Sequence, residues 1–104
     1  MKAFYINPDL QEYIFSLEKP TISKFDRMLD LLEEFGQKLD MPYSKQIKSN
    51  LYELRIRGRQ EVRIFYCLYR NQIVFVHAFI KKSQKTPPQE IKTALAWIKL
   101  LTNI

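Results

Sequence analysis

This 104-residue sequence has little of what covalent or metal-centred architectures need. Cys67 is the only cysteine, which excludes a disulfide framework and a cysteine-based zinc site. Lying inside a strand-like run, it reads as a small core residue of a reducing, cytoplasmic protein. Gly36 and Gly58 are the only glycines, too few for a phosphate-cradling loop, so nucleotide-binding folds of the P-loop and Rossmann kinds are excluded. One histidine excludes catalysis by a histidine pair, and no metal-ligand spacing stands out, so neither a metal nor a cofactor is expected. No stretch nears the ~18 apolar residues that a membrane span requires. The opening MKAFYINPDL lacks the apolar run of a signal peptide. The expectation is a cytoplasmic protein with no membrane partner.

What is present fits one small folded domain, residues 1–104, with 46% hydrophobic residues and a formal net charge of +6. The charge is lopsided. Residues 1–40 carry a balance of −3 and residues 41–104 a balance of +9. The second part of the chain is therefore expected to build a surface facing a polyanion.

Lys2–Ile6 is compatible with a short edge strand. Asn7-Pro8 is a helix start, an N-cap followed by a proline at the first helical position. Leu10, Ile14 and Leu17 then recur at helical spacing. From Thr21 to about Phe35, the positions Ile22, Phe25, Leu29, Leu32 and Phe35 predict a second amphipathic helix ending at Gly36. Residues 37–50 read as a polar connection. The period then becomes two: Leu54 and Ile56 point one way, and Glu53, Arg55 and Arg57 the other, onto a solvated face. Val62–Tyr69 is apolar on both faces except at Arg63, which suggests a central strand. Arg70-Asn71-Gln72 is a turn and Ile73–Ile80 another strand. Thr86-Pro87-Pro88-Gln89 has the pattern of a capping box with Thr86 as N-cap, opening a last helix with a stripe of Ile91, Leu95, Ile98 and Leu101. The prediction is an α+β domain of order (β)ααβββα: an antiparallel sheet with an N-terminal α-hairpin, a C-terminal helix, and its helices on one face.

Several residues could carry chemistry. Arg63 cannot lose its charge in an otherwise apolar strand, so it requires either a carboxylate from a helix or an opening through which its guanidinium reaches phosphate. Glu53, Arg55 and Arg57 are either a solvated face or a cationic surface with Glu53 as proton acceptor. His77 alternates with Phe75 and Phe79, as a semi-buried core histidine or a general acid or base. Lys81, Lys82 and Lys85 crowd the start of the last helix, where positive charge is repelled by the macrodipole. They are a solvated loop or a seat for an anion such as RNA phosphate.

Taken together, YELRIRG, VRIFYCLYRNQIVFVHAFIKKSQKTPPQEIKTAL and their spacing resemble the HigB-like branch of the RelE/ParE toxin superfamily, phage-derived members included, over roughly residues 50–100. The resemblance implies the toxin of a bacterial type II toxin–antitoxin system. Such a protein would be a metal-independent mRNA endonuclease that cuts mRNA at the ribosome and blocks translation. It would be neutralised by a cognate antitoxin, often a helix-turn-helix, HigA-like repressor. By resemblance, Arg63 falls on the phosphate-binding arginine and Lys82 on the basic residue that supports the phosphate or leaving group. Lys81, Lys85 and Arg55 match the remaining basic positions. Leu51 and Glu53 stand where RelE carries lysines, and no tyrosine lies near Pro87-Pro88, so the proton acceptor is left open among Glu53, His77 and Tyr52. Two other functions fit the same fold and charge: a ParE-like, non-nuclease inhibitor of DNA gyrase, and a catalytically inactive basic binding domain.

Overall fold

A computed structural model describes residues 1–103 of the chain. The elements run β1 (Ala3–Tyr5), α1 (Pro8–Phe15), α2 (Lys19–Phe35), a single 3-10 turn (Gly36–Lys38), β2 (Ser44–Lys48), β3 (Leu51–Ile56), β4 (Val62–Tyr69), β5 (Gln72–Ile80) and α3 (Pro88–Thr102). The sheet has five strands in the order β1-β5-β4-β3-β2. β2 through β5 pair antiparallel, and β1 joins β5 in parallel. The α+β class, the α-hairpin, the three central strands and the C-terminal helix agree with the sequence reading.

The first helix starts where Asn7-Pro8 indicated: the Asn7 side-chain oxygen accepts from the Leu10 amide at 2.8 Å, with Pro8 in the first turn. α2 ends at Gly36, whose φ of 55° lies in the left-handed region that glycine enters without a Cβ penalty. Its apolar stripe stops at Leu32, because Phe35 is about half exposed. Arg70 and Asn71 both take positive φ in the two-residue connection between β4 and β5, which matches the twist of a tight hairpin.

Three expectations are corrected. The helices do not share one face. α1 and α2 cover Leu54, Ile56, Ile64, Tyr66 and Phe75, whereas α3 covers Leu51, Phe65, Cys67, Val74 and Val76 from the other side. VRIFYCLY is apolar on both faces, so a strand of that kind requires two covers. Residues 44–48 of the supposed polar connection form β2. Their pairing with β3 rests on backbone hydrogen bonds, and lysines at 45 and 48 suit an exposed edge. The capping box does not form. α3 begins at Pro88 with Pro87 at the N-cap and no side-chain cap, because the Thr86 hydroxyl is bonded elsewhere.

A bulge also alters the reading of β5. The β4–β5 register shifts between Phe65 and Tyr66, so Phe65 pairs with His77 while Tyr66 pairs with Phe75. Phe75 therefore faces the α-hairpin, whereas the His77 ring lies beside Phe65 and Phe79, at centroid distances of 6.4 and 6.0 Å.

Candidate nucleic-acid site

Arg55, Arg63 and Lys81 converge where β3 and β4 meet the connection from β5 to α3. On β3, Glu53 and Arg55 are two residues apart and share the α3 side of the sheet. On β4, Arg63 is the direct cross-strand partner of Arg55. Like charges placed opposite each other in a ladder repel. Glu53 offsets this: its Oε1 lies 3.3 Å from Arg55 Nε and 3.7 Å from Arg63 Nε. Its Oε2 accepts the Thr86 hydroxyl at 2.9 Å, which ties the loop before α3 to the sheet. Glu61 adds a second carboxylate, with Oε2 3.3 Å from Arg63 Nη1, and the same Nη1 donates to the Val62 carbonyl at 3.1 Å.

Burial changes the meaning of these residues. Glu53 is 1% exposed and Arg63 2%, so Glu53 is not on a solvated face as the alternation suggested. Arg63 does have carboxylate partners, but they come from β3 and from the loop just before β4, not from a helix. The Nε groups of both arginines are buried and lie within ion-pairing distance of Glu53, yet neither has a hydrogen bond of proper geometry. A buried donor left in this way carries a desolvation cost of about 1–3 kcal/mol, more when charged.

Lys81 closes one side. Its amide donates to the Glu61 carbonyl at 2.6 Å and its ammonium to the Gln84 carbonyl at 2.8 Å. Its pKa is lowered, first by desolvation and then by the positive charge of Arg63, with Arg55 and Arg57 acting in the same direction and Glu53 against it. Arg57, Lys82 and Lys85 are exposed around this cluster. Among the described residues, the side chains of Lys82 and Lys85 make no hydrogen bond or ion pair, and so stay available to an anion.

His77 is not part of the cluster. Its Nε2 lies 3.2 Å from Glu90 in the first turn of α3. Phe65 stands between it and Glu53 in the same cross-strand row, and two strand spacings separate them by about 10 Å. Tyr52 is excluded from this site as well, because it stacks on Tyr66 on the α-hairpin side. The sequence reading missed Thr86 and Glu61. Glu61 had a signal, since it sits two residues before Arg63 and so shares its side of the strand. Thr86 had none, because its motif also fits a cap. Among the described residues, no three His, Cys, Asp or Glu side chains gather as metal ligands.

A family model described as phage derived protein Gp49-like (DUF891) matches residues 12–99. No curated protein matches the chain in sequence. Among solved structures, a chain of the YoeB-YefM complex from Staphylococcus aureus superposes with a TM-score of 0.58 at 18% identity, covering 79% of this chain and 98% of that one. A chain of the heterotetrameric YoeB-YefM toxin-antitoxin complex from Staphylococcus aureus does so with a TM-score of 0.56 at 19% identity, covering 80% and 97%. At these identities the likeness is one of fold.

Proposed function

The chain belongs to the phage-derived Gp49-like family, and from that premise we propose that it is the toxin of a toxin–antitoxin pair and acts as a metal-independent endoribonuclease on mRNA at the ribosome. The observation that carries this reading is the buried Arg55–Glu53–Arg63 group. Two guanidinium groups are held in fixed positions with Nε–H donors that no protein oxygen properly accepts. Cations preorganised in excess of the carboxylate they share suit the charge that develops on phosphoryl oxygens. The fold shared with chains of toxin-antitoxin complexes, and the HigB-like run of residues 50–100, support the same reading.

In the proposed reaction a ribose 2′-hydroxyl attacks its own 3′-phosphate. The new P–O2′ bond forms as the P–O5′ bond breaks, giving a 2′,3′-cyclic phosphate and a 5′-hydroxyl. One proton leaves the 2′ oxygen and one reaches the 5′ oxygen. Arg63 and Arg55 take up charge on the non-bridging oxygens, the role a metal would otherwise play. Glu53 positions both arginines, since each of its oxygens is already engaged. Lys81, with its proton loosened by desolvation and then by the surrounding cations, handles proton transfer at this centre. Lys82 and Lys85 hold flanking phosphates. A cognate antitoxin, helix-turn-helix in the HigB-like scheme, would silence the protein by covering this basic surface.

Inducible expression of wild type and Arg63→Ala, with primer extension on cellular mRNA, tests the reading. The expected result is growth arrest with new 5′ ends for the wild type and neither for Arg63→Ala. Arrest by both alike, or gyrase inhibition with intact mRNA, would overturn it.

A further inference from the structure

Beyond the arginine cluster, a groove of about 250 Å³ opens at the end of β3, between α2 and the segment that leads into β2. Its rim is strongly cationic, with Lys24 and Arg27 from α2 facing Arg55 from β3 and Arg57 just beyond it. Lys24 and Arg27, three residues apart, occupy one side of the helix. The lining includes Pro42 and the ring of Tyr43, which is 42% exposed, over a floor of Met28 and Ile56. Apolar and aromatic surface ringed by four cations is unsuited to an aliphatic ligand or a neutral one. It suits a flat, hydrophobic group that carries negative charge close by.

The groove is continuous with the arginine cluster through one side chain. Arg55 Nε lies against Glu53 in the cluster, while its Nη1 reaches the Met41 sulfur at 3.6 Å, next to Pro42. The Arg55 backbone amide also donates to the Tyr43 carbonyl at 2.8 Å, so the aromatic residue is fixed to the strand that carries the guanidinium. A single strand whose phosphate lies on Arg63 and Arg55 meets the groove as it leaves the cluster.

We propose that this groove is a nucleotide subsite of single-stranded RNA, with a base stacked on Tyr43 and its phosphate held by Arg27 and Arg57. The proposal rests on the nuclease reading for the identity of the polyanion, and extends it to the recognition of a nucleotide beside the scissile phosphate. Stacking tolerates any base, so the groove sets position and grip along the strand more than sequence. The cations supply the salt-dependent part of the affinity.

The test uses a hexaribonucleotide carrying one 2-aminopurine, whose fluorescence is quenched on stacking, titrated with the full chain. Anisotropy of an end-labelled copy reports affinity, and primer extension on mRNA from cells expressing the same variants reports cleavage. The wild type is expected to quench the probe. Tyr43→Phe keeps the quench, whereas Tyr43→Ala abolishes it and weakens binding about tenfold, the scale of one base–aromatic stack. Arg27→Glu weakens binding at low salt and flattens its salt dependence. Arg63→Ala retains the quench at saturation. Quenching by the wild type through Tyr43 with cellular mRNA left uncut supports the groove while overturning the nuclease reading. Cleavage and quenching unaltered in Tyr43→Ala overturn the groove while sparing that reading, as does a wild type that cuts cellular mRNA without quenching the probe. Unchanged RNA affinity in Tyr43→Ala and Arg27→Glu, with loss of binding to a hexaglutamate peptide, would make this an acidic-peptide site and also overturn the proposal.

Discussion

The two faces of the sheet bury polar groups on opposite terms. Under the α-hairpin each has a partner: the Ser44 and Tyr66 hydroxyls are 2.5 Å apart, and Thr21 donates to Gln60 at 2.9 Å. On the α3 side, Glu53 and Arg63 are just as buried, but they form an ion group of two cations on one shared carboxylate, with both Nε donors unsatisfied. The first arrangement costs little and specifies packing. The second costs stability, because buried ions recover their desolvation only with full pairing. The closed face therefore holds the fold together, and the open one keeps charge in reserve for a ligand.

The sharpest way to break this comparison is to damage each face in turn. Leu54→Ala, under the α-hairpin, is expected to cost about 2–5 kcal/mol in urea unfolding while leaving activity per folded molecule intact. Arg63→Met should do the reverse, with cleavage down at least 100-fold and stability within about 1 kcal/mol of wild type, or higher. A large stability loss in Arg63→Met would erase the distinction between the faces.

A smaller effect is expected in alkali. Burial pushes the Tyr66 phenol up to about 12, against the Ser44 hydrogen bond, which lowers it. The folded state thus keeps a proton that the unfolded chain releases near 10. That stabilisation is complete below pH 10 and is lost as the pH rises toward 12. The loss amounts to about 2–3 kcal/mol. Tyr66→Phe should remove this part of the alkaline decline in denaturation midpoints, at a constant cost of about 1 kcal/mol for the orphaned Ser44 hydroxyl.

Glu53→Gln removes the shared counter-charge from two guanidinium groups. It should destabilise by about 1–3 kcal/mol, and added sulfate should restore more stability to this variant than to wild type. Equal responses to sulfate would show that no anion enters between the arginines. The finest distinction concerns Lys81. Its lowered pKa makes the neutral amine available at lower pH than for a free lysine, so cleavage that uses it as proton acceptor rises with pH ahead of the usual lysine range. Lys81→Met should flatten that rise in a pH–rate profile while leaving RNA affinity nearly unchanged.

Much of the fold was legible because period and punctuation agreed: Asn7-Pro8 opened a helix, Gly36 closed one, and the alternation in residues 53–57 indicated β3. The strand at 44–48 was not, because one apolar residue among five leaves an edge strand no hydrophobic pattern to read. The apolar run at 62–69 required covers on both sides, yet the helices were assigned to one; only the three-dimensional connection shows α3 crossing over. At the site, Arg63 stood out as a charge in an apolar strand. Its neighbours did not, since the pairing of Arg55 with Arg63 depends on register and the Thr86–Glu53 bond spans 33 residues. His77 was misplaced relative to Phe75 by one bulge, a single extra residue that no composition signals.

The parallel pairing of β1 with β5 bears on when this chain becomes complete during its own synthesis. Ala3–Tyr5 emerge first but have no strand to join until Gln72–Ile80 follow, and Lys81 and Thr86 come later still. Such long-range pairing delays folding, because the loop must close before its contacts form. A nascent chain held between Arg63 and β5 has Arg55 and Arg63 but neither the β1–β5 pairing nor the loop that fixes Glu53. If the protein acts on translating ribosomes, the ribosome making it is spared until β5, Lys81 and Thr86 have all been made.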